Sequence, residues 1–191
     1  MLKKDVDNFA SRIKNLKDYI ALATVPAALY NKTNIKIVKY FIEEEDIPGV
    51  YITLNKPYKT VQSILKKSKI DTRLVIFIDC VTRLADNSEK KSSNCLFIGS
   101  PEKLSDISIA MDQAVRAIPS KQKFVFFDSL STLLLYNNAE IVARFIHFLA
   151  SKMRMWKVKG IIISLEKDKN KDLIDKLAQV CDIVVDIGGE K

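Results

Sequence analysis

Several short runs of this sequence are apolar at nearly every position, and they alternate along the chain with segments of helical periodicity. A strand that is apolar at successive positions, rather than at every second one, is buried on both faces of its sheet. Regular interleaving of such strands with helices favours parallel pairing through right-handed crossovers. The pattern predicts an α/β fold, a three-layer sandwich around a mainly parallel sheet, with strands at residues 19–24, 49–54, 74–79, 95–98, 124–127, 160–164 and 183–187.

Apolar residues at helical spacing predict the helices and the domain organisation. The chain opens with an amphipathic helix, expected over residues 1–17, that could pack on its own sheet or dock on a partner. A single α/β domain is expected over residues 18–191, because 191 residues with 48% hydrophobic content suit one core. Further helices are predicted at 33–45, after Pro57, from Leu104 to before Pro119, over 142–156, and around Leu173, Ile174 and Leu177.

The composition argues against a membrane span and against a metal centre. No run reaches the roughly 18 uninterrupted apolar residues that a span requires, and residues 1–17 are repeatedly charged, so we expect a soluble, cytoplasmic protein. Cys80, Cys95 and Cys181 are an odd set without CxxC spacing, and His147 is the only histidine. Buried free thiols are therefore expected.

The net charge of +8 and the pI near 9.3 would suit a polyanionic partner such as nucleic acid. The cations are nevertheless spread along the chain, in small groups at Lys66 to Lys69 and at Lys152 to Lys159. Both groups fall at the ends of predicted helices, where cations are favoured by the helix dipole and cover a solvated face. The charge alone therefore does not decide between a nucleic-acid site and an ordinary surface.

The turns at the carboxyl ends of the strands are where a doubly wound sheet places its ligands. The turn after the first strand reads Pro26-Ala27-Ala28-Leu29-Tyr30-Asn31-Lys32-Thr33. It keeps the Lys-Thr pair of a phosphate-binding P-loop, but Pro26 and Asn31 stand where the P-loop has glycines. Pro26 has no amide to donate, whereas Asn31 tolerates left-handed backbone. Asn31-Lys32-Thr33 could also be a plain helix N-terminus with a solvated lysine.

A second strand end supports the same interpretation as the turn after the first strand. Phe124 to Phe127 is an apolar strand that ends in Asp128, and it is followed by Ser129-Leu130-Ser131-Thr132-Leu133-Leu134, a long helix and Gly160-Ile161-Ile162-Ile163-Ser164. With Gly49 to Leu54 and Phe77-Ile78-Asp79, this series resembles the RecA/KaiC-like, RadA-related ATPase superfamily, particularly its archaeal members. The resemblance extends from Tyr19 to Ile187 and implies a RecA-like central sheet.

The resemblance also implies a nucleotide site that would hold ATP and magnesium. In it, Asn31 and Lys32 would meet the phosphates, Thr33 and Asp128 the Mg²⁺ ion, and Ser164 the γ-phosphate side. Each residue has a simpler interpretation. Asp128 could cap the turn after its strand, and Ser164 could be a strand-end hydroxyl bonded to backbone.

No residue fits the role of general base. The superfamily carries glutamates after its second strand, and the matching positions here are Asn55 and Lys56, neither of which accepts a proton at neutral pH in its ordinary state. Asp79 is the nearest other carboxylate. His147 is expected on the outer face of its helix, Ser129 and Ser131 have no base nearby, and the run 43–46 is expected to be a solvated helix end, so no catalytic residue is assigned.

Three functions remain open on these grounds. The first is a non-hydrolysing RecA/KaiC-like domain that regulates or assembles with a protein partner or with copies of itself, with weak ATP binding left open. The second is a DNA-associated accessory of the recombinase-paralogue kind, suggested by the basic charge. The third is an active ATPase with a rearranged general base.

Overall fold

A seven-stranded sheet is the centre of the computed structural model, which describes residues 9–14, 16–85, 92–165 and 171–188. Every strand pair is parallel, and the strand order is β4-β3-β2-β5-β6-β1-β7. The α/β fold with a parallel sheet is therefore confirmed. The strands are β1 (Tyr19–Val25), β2 (Gly49–Thr53), β3 (Val75–Asp79), β4 (Cys95–Phe97), β5 (Phe124–Asp128), β6 (Lys159–Leu165) and β7 (Ile183–Asp186).

Helices connect the strands. In the described part of the chain they are α1 (residues 9–13), α2 (Tyr30–Lys39, continued by a π-helical turn at Tyr40–Glu44), α3 (Tyr58–Lys67), a 3₁₀ turn (Thr72–Leu74), α4 (Thr82–Ala85), α5 (Leu104–Ala117), α6 (Leu130–Tyr136), α7 (Ala139–Trp156) and α8 (Lys171–Ala178). Four of them differ from the predictions. Helices α2 and α7 each begin three residues earlier than expected, and α4 and α6 were not predicted. Helix α6 starts where the Ser129 side chain accepts a hydrogen bond from the Thr132 amide.

The sheet divides the core into two layers. Along β5, Phe124 and Phe126 belong to the cluster under α1, α2 and α3, whereas Val125 and Phe127 belong to the cluster under α5, α6, α7 and α8. Successive strand side chains point to opposite faces, so each of these runs serves both layers. The first layer is the one that faces the turn after β1.

The N-terminal amphipathic segment packs on its own sheet where it is described. Phe9 and Ile13 are buried in the first layer, while Leu2 and Val6 lie outside the described residues. The polar stretch 87–94 is described only at its end, where residues 92–94 form the turn into β4. Cys80 and Cys95 are buried free thiols, and Cys181 is half-buried. No helix in the described ranges is both long and apolar enough to cross a bilayer.

Lys159 and Glu45 correct two predictions about the surface. Both were expected on solvated helix ends, but the Lys159 Nζ donates to the Glu45 carboxylate, and their side chains are only 4% and 13% exposed. Tyr40 Oη also donates to Glu45, at 2.5 Å. The prediction failed because Lys159 is the first residue of β6 and not the end of α7, and because its partner lies far away in sequence. Attraction and hydrogen bonding offset the cost of burying the two charges.

We predict that Lys159→Met destabilises the protein by about 3 kcal/mol, because removing one partner leaves the other charge buried and unpaired. The double variant Lys159→Met with Glu45→Leu should recover most of that loss. Urea unfolding of the wild type and both variants measures the two differences. Equal losses in the single and double variants would show that the pair does not stabilise the fold through its charges.

Candidate functional site

The carboxyl ends of five strands, β1, β2, β3, β5 and β6, meet at one edge of the sheet. In the parallel register Thr53 lies opposite both Asp79 and Asp128, Asp128 lies opposite Ile163, and Thr24 lies opposite Ser164. The residues that the sequence marked are therefore gathered at the edge where open α/β sheets bind ligands. Whether they form a site depends on where their side chains point.

The turn after β1 uses its own amides. The Leu29 amide donates to the Pro26 carbonyl at 2.9 Å, the Tyr30 amide to Ala27 at 3.4 Å, and the Thr33 amide to Leu29 at 2.9 Å. A P-loop needs the corresponding amides free and pointing at the phosphates. Helix α2 already begins at Tyr30, so this turn is a tight helical entry and not an anion cradle.

The Lys-Thr pair is split between solvent and core. Asn31 and Lys32 are exposed, whereas Thr33 is fully buried on the inner side of α2, and its Oγ1 has no hydrogen-bond partner among the described residues. In a P-loop the two side chains converge on one phosphate and its magnesium. Here the hydroxyl lies under the helix and cannot reach a ligand that Lys32 would bind from solvent.

The turn after β2 closes over the start of α2. Asn55 Nδ2 donates to Tyr30 Oη at 2.6 Å, and Lys56 Nζ donates to Asn31 Oδ1 at 2.9 Å. The Lys56 ammonium also lies 5.0 Å from the centre of the Tyr30 ring. Burial lowers the pKa of Lys56, but the hydrogen bond and the ring both favour its charged form. Asn55 and Lys56 therefore act as a clasp on the turn after β1, and neither is placed as a base.

Asp128 is held as a buried acid. Its side chain belongs to the first layer, the residue is 2% exposed, and the Tyr51 hydroxyl donates to Oδ2 in a very short hydrogen bond. Burial raises the pKa of Asp128 well above its usual range, so the carboxyl is protonated and neutral over a wide range of pH. In this arrangement the Tyr51 hydroxyl engages the carboxyl and Asp128 is held in the core.

The space around Asp128 is too small for a nucleotide. Asn34, Tyr51, Lys56 and Asp128 are among the residues that line a cavity of about 20 Å³. That volume is of the order of one water molecule, whereas small-molecule sites occupy roughly 300 to 1,000 Å³. The Oδ1 atoms of Asn34 and Asp128 both lack a hydrogen-bond partner among the described residues. The cavity is narrow, and Ile35, Val61, Ile64 and Leu65 contribute apolar side chains to its lining.

Ser164 lies on the other side of the sheet from Asp128. It is fully buried, and its Oγ is 3.4 Å from Oγ of Ser131 at the start of α6. Ser131 Oγ in turn accepts from the Leu165 amide at 2.8 Å. This pair ties β6 to α6 in the second layer, so Ser164 does not share a site with Asp128. The interpretation of Ser164 as a strand-end hydroxyl fits this arrangement.

The Asp79 carboxylate caps the starts of two helices. Its carboxylate accepts from the amides of Tyr58 at 2.7 Å, Val81 at 2.8 Å and Thr82 at 2.8 Å, and also from the Thr82 hydroxyl. These bonds join the end of β3 to the starts of α3 and α4. A carboxylate whose lone pairs are engaged in this way orients turns, and it has no free position to take a proton from water.

No other chemistry assembles in the part of the chain that the structure describes. His147 is exposed on the outer face of α7, as expected, and Ser129 caps α6. Among the described residues, no three His, Cys, Asp or Glu side chains come close enough to hold a metal ion.

Tyr30, Asn34 and Tyr51 are the residues that the sequence analysis missed. A signal existed for Tyr51, because a phenol inside an otherwise apolar strand needs a hydrogen-bond partner. In the β2–β5 register, Tyr51 and Asp128 lie on the same face, two positions apart. Without the register no sequence pattern links them, and Tyr30 reads as an ordinary residue of the helix start.

Comparison with known families places the chain. The model of a family of unknown function, DUF7504, matches residues 41–187. The protein belongs to the DUF7504 family. The matched region of this DUF7504 chain includes Asp79, Asp128 and Ser164, and it begins after the turn that carries Lys32. Among curated proteins, none matches the sequence.

The solved structures show how this DUF7504 chain is folded. One similar structure is the crystal structure of a KaiC-like protein from the hyperthermophilic archaeon Pyrococcus horikoshii OT3, with a TM-score of 0.60 over 88% of this chain and 71% of that chain. The two sequences are 13% identical. At that identity the likeness shows the fold alone, and the fold is RecA/KaiC-like.

The buried acid predicts a pH dependence of stability. Unfolding lowers the pKa of Asp128 to about 3.9, so the folded state binds more protons than the unfolded state above that pH. The stabilisation linked to this proton is complete below about pH 4 and is lost as pH rises toward the folded pKa. Relative to Asp128→Asn, which has no such proton, wild-type stability should fall by about 1.4 kcal/mol per pH unit in that window.

Urea unfolding of both proteins from about pH 4 to pH 8 measures the difference, with Asp106→Asn as the control because Asp106 is exposed on α5. A constant difference between wild type and Asp128→Asn over this range would mean that Asp128 is ionised in the folded protein.

Proposed function

We propose that this DUF7504 protein is a non-hydrolysing RecA/KaiC-like domain that acts by binding a protein partner, in regulation or assembly, and does not turn over ATP. The clasp of Asn55 and Lys56 on Tyr30 and Asn31 is the observation on which this proposal rests. It occupies the entrance of the β1 turn with the residues that stand where a base would be.

Three further observations support the proposal. The amides of the turn donate within the turn, Thr33 is buried away from Lys32, and Asp128 is a neutral acid beside a cavity of about 20 Å³. Hydrolysis needs a positioned base and a ligated magnesium in addition to phosphate contacts. Binding of ATP would require the clasp to open, and turnover would also require a base that no described residue provides.

The test is equilibrium binding of fluorescent ATP with Mg²⁺ together with a phosphate-release assay. We expect no steady phosphate release from the wild type, and the same background from Lys32→Ala and Asp128→Asn. ATP binding that weakens in Lys32→Ala without turnover would support a non-hydrolysing domain whose turn opens. Steady turnover that is abolished in Asp128→Asn would overturn the proposal and favour an ATPase with a rearranged base.

The basic charge supports a second candidate, a DNA-associated accessory of the recombinase-paralogue kind. Lys66, Lys67 and Lys69 are all exposed at the end of α3, and the net charge is +8. Phosphate neutralisation makes such binding steeply salt-dependent. Anisotropy titrations with labelled single- and double-stranded DNA should then show an affinity that falls with salt and drops when the three lysines are replaced by serine. No binding at low salt would remove this candidate.

A further inference from the structure

The outer side of α7 carries a line of exposed apolar side chains. Ile141, Phe148 and Met155 are 36%, 43% and 60% exposed, and they follow each other at intervals of seven residues. Seven residues are close to two helical turns, so the three side chains stay on one stripe about 21 Å long. The opposite side of the helix is anchored in the second layer by Val142, Phe145, Ile146, Leu149, Ala150 and Met153.

Single exposed apolar residues are normal on a protein surface. Three exposed apolar residues at heptad spacing on the longest described helix indicate a helix-binding surface, because a second helix packs lengthwise on the first with this spacing. None of the three is needed to bury α7, since the inner side of the helix already provides a continuous apolar face.

Cations border the stripe. On a helical wheel, Arg144 and Lys152 lie about 40° to either side of Phe148. Lys152 Nζ lies 5.7 Å from the centre of the Phe148 ring, and Arg144 reaches Glu140 at 3.4 Å in an ion pair whose side chains are 71% and 79% exposed. Such an exposed pair is weak and easily exchanged for another carboxylate. The stripe therefore presents apolar contacts between two positive charges.

The internal and C-terminal stretches of this sequence that the structure does not describe are too polar to cover the stripe. The undescribed stretches 86–91, 166–170 and 189–191 contain no apolar residue larger than glycine. Residues 1–8 precede Phe9, which is buried in the first layer on the other side of the sheet.

A second copy of the chain is also a poor fit. An antiparallel pair centred on Phe148 would set Arg144 of one copy against Lys152 of the other, and a parallel pair would set each cation against itself. Like charges at such positions disfavour pairing. An anionic membrane would need a wide apolar face, whereas this stripe is one side chain wide.

We propose that the outer face of α7 docks an amphipathic helix of a partner protein, with apolar residues at heptad spacing and acidic residues flanking them. The apolar side chains of the partner pack along Ile141, Phe148 and Met155, and its carboxylates pair with Arg144 and Lys152. This surface rests on the proposed function and extends it by giving the chemistry of the partner. It lies in the opposite layer from the turn after β1.

The probe is a fluorescent three-heptad peptide with Leu at the a and d positions and Glu at e and g. Repulsion between its own glutamates keeps it from pairing with itself. The matched control peptide has Lys at e and g. Fluorescence anisotropy against the full chain should show binding of the Glu peptide that weakens with salt, and no binding of the Lys peptide.

Protein variants connect the binding to the stripe. Phe148→Glu should weaken the Glu peptide by at least about tenfold, because it removes the central anchor and adds a like charge. Ile109→Glu is the matched control, since Ile109 is 58% exposed on α5 and lies outside the stripe, and it should bind as the wild type does. Thermal unfolding followed by circular dichroism establishes that both variants are folded.

Four results would overturn the inference. The first three are no binding of the Glu peptide, equal binding of both peptides, and binding that is unchanged in Phe148→Glu. The fourth is another use of the stripe, shown either by a dimer that Phe148→Glu dissociates or by binding of the chain to vesicles of anionic lipid. Phosphate release is measured on the same preparations. Steady turnover there would refute the proposed function and leave the docking result standing, so the two can fail separately.

Discussion

The hydrogen bond between the Tyr51 hydroxyl and the Asp128 carboxyl sets the character of this protein's sheet edge. It exists because the β2–β5 register puts a phenol and a carboxyl on the same face, two positions apart. Ionising a carboxyl that is only 2% exposed costs free energy, so burial favours its protonated form. Tyr51 of β2 is its hydrogen-bond partner, and Asn34 of α2 lines the same cavity of about 20 Å³.

The elements of the fold could be predicted because burial on both faces leaves a direct mark on a strand. The run Phe124 to Phe127 is apolar at every position, and the structure extends it by a single residue to Asp128. Helix starts were harder to predict, since α2 begins through hydrogen bonds within the turn and not at a polar cap. The ion pair of Lys159 and Glu45 was hidden for a different reason. Its partners are 114 residues apart, and each one alone reads as a surface charge.

The candidate residues could be assigned to strand ends from the sequence, whereas the directions of their side chains could not. Strand ends that share an edge follow from parallel topology, so Asp128 and Ser164 had to fall near one another along the sheet. The face on which each side chain points depends on the parity of each strand, and this parity separates Ser164 from Asp128. The absence of glycine from the β1 turn was visible in the sequence. Its consequence, amides that bond within the turn and a tyrosine that meets Asn55, required coordinates.

The two faces of the sheet differ in how they are packed. In the first layer Asn55 and Lys56 close over the turn after β1. Thr33 lies in the core there, and Asp128 bonds to Tyr51. Helix α7 packs on the second layer through its inner face, and the exposed stripe on its outer face takes no part in that packing. A stripe there is free of the constraints that closed the turn, because no residue of the stripe belongs to either core cluster. The proposed docking surface on α7 can therefore change without disturbing the packing of the turn after β1.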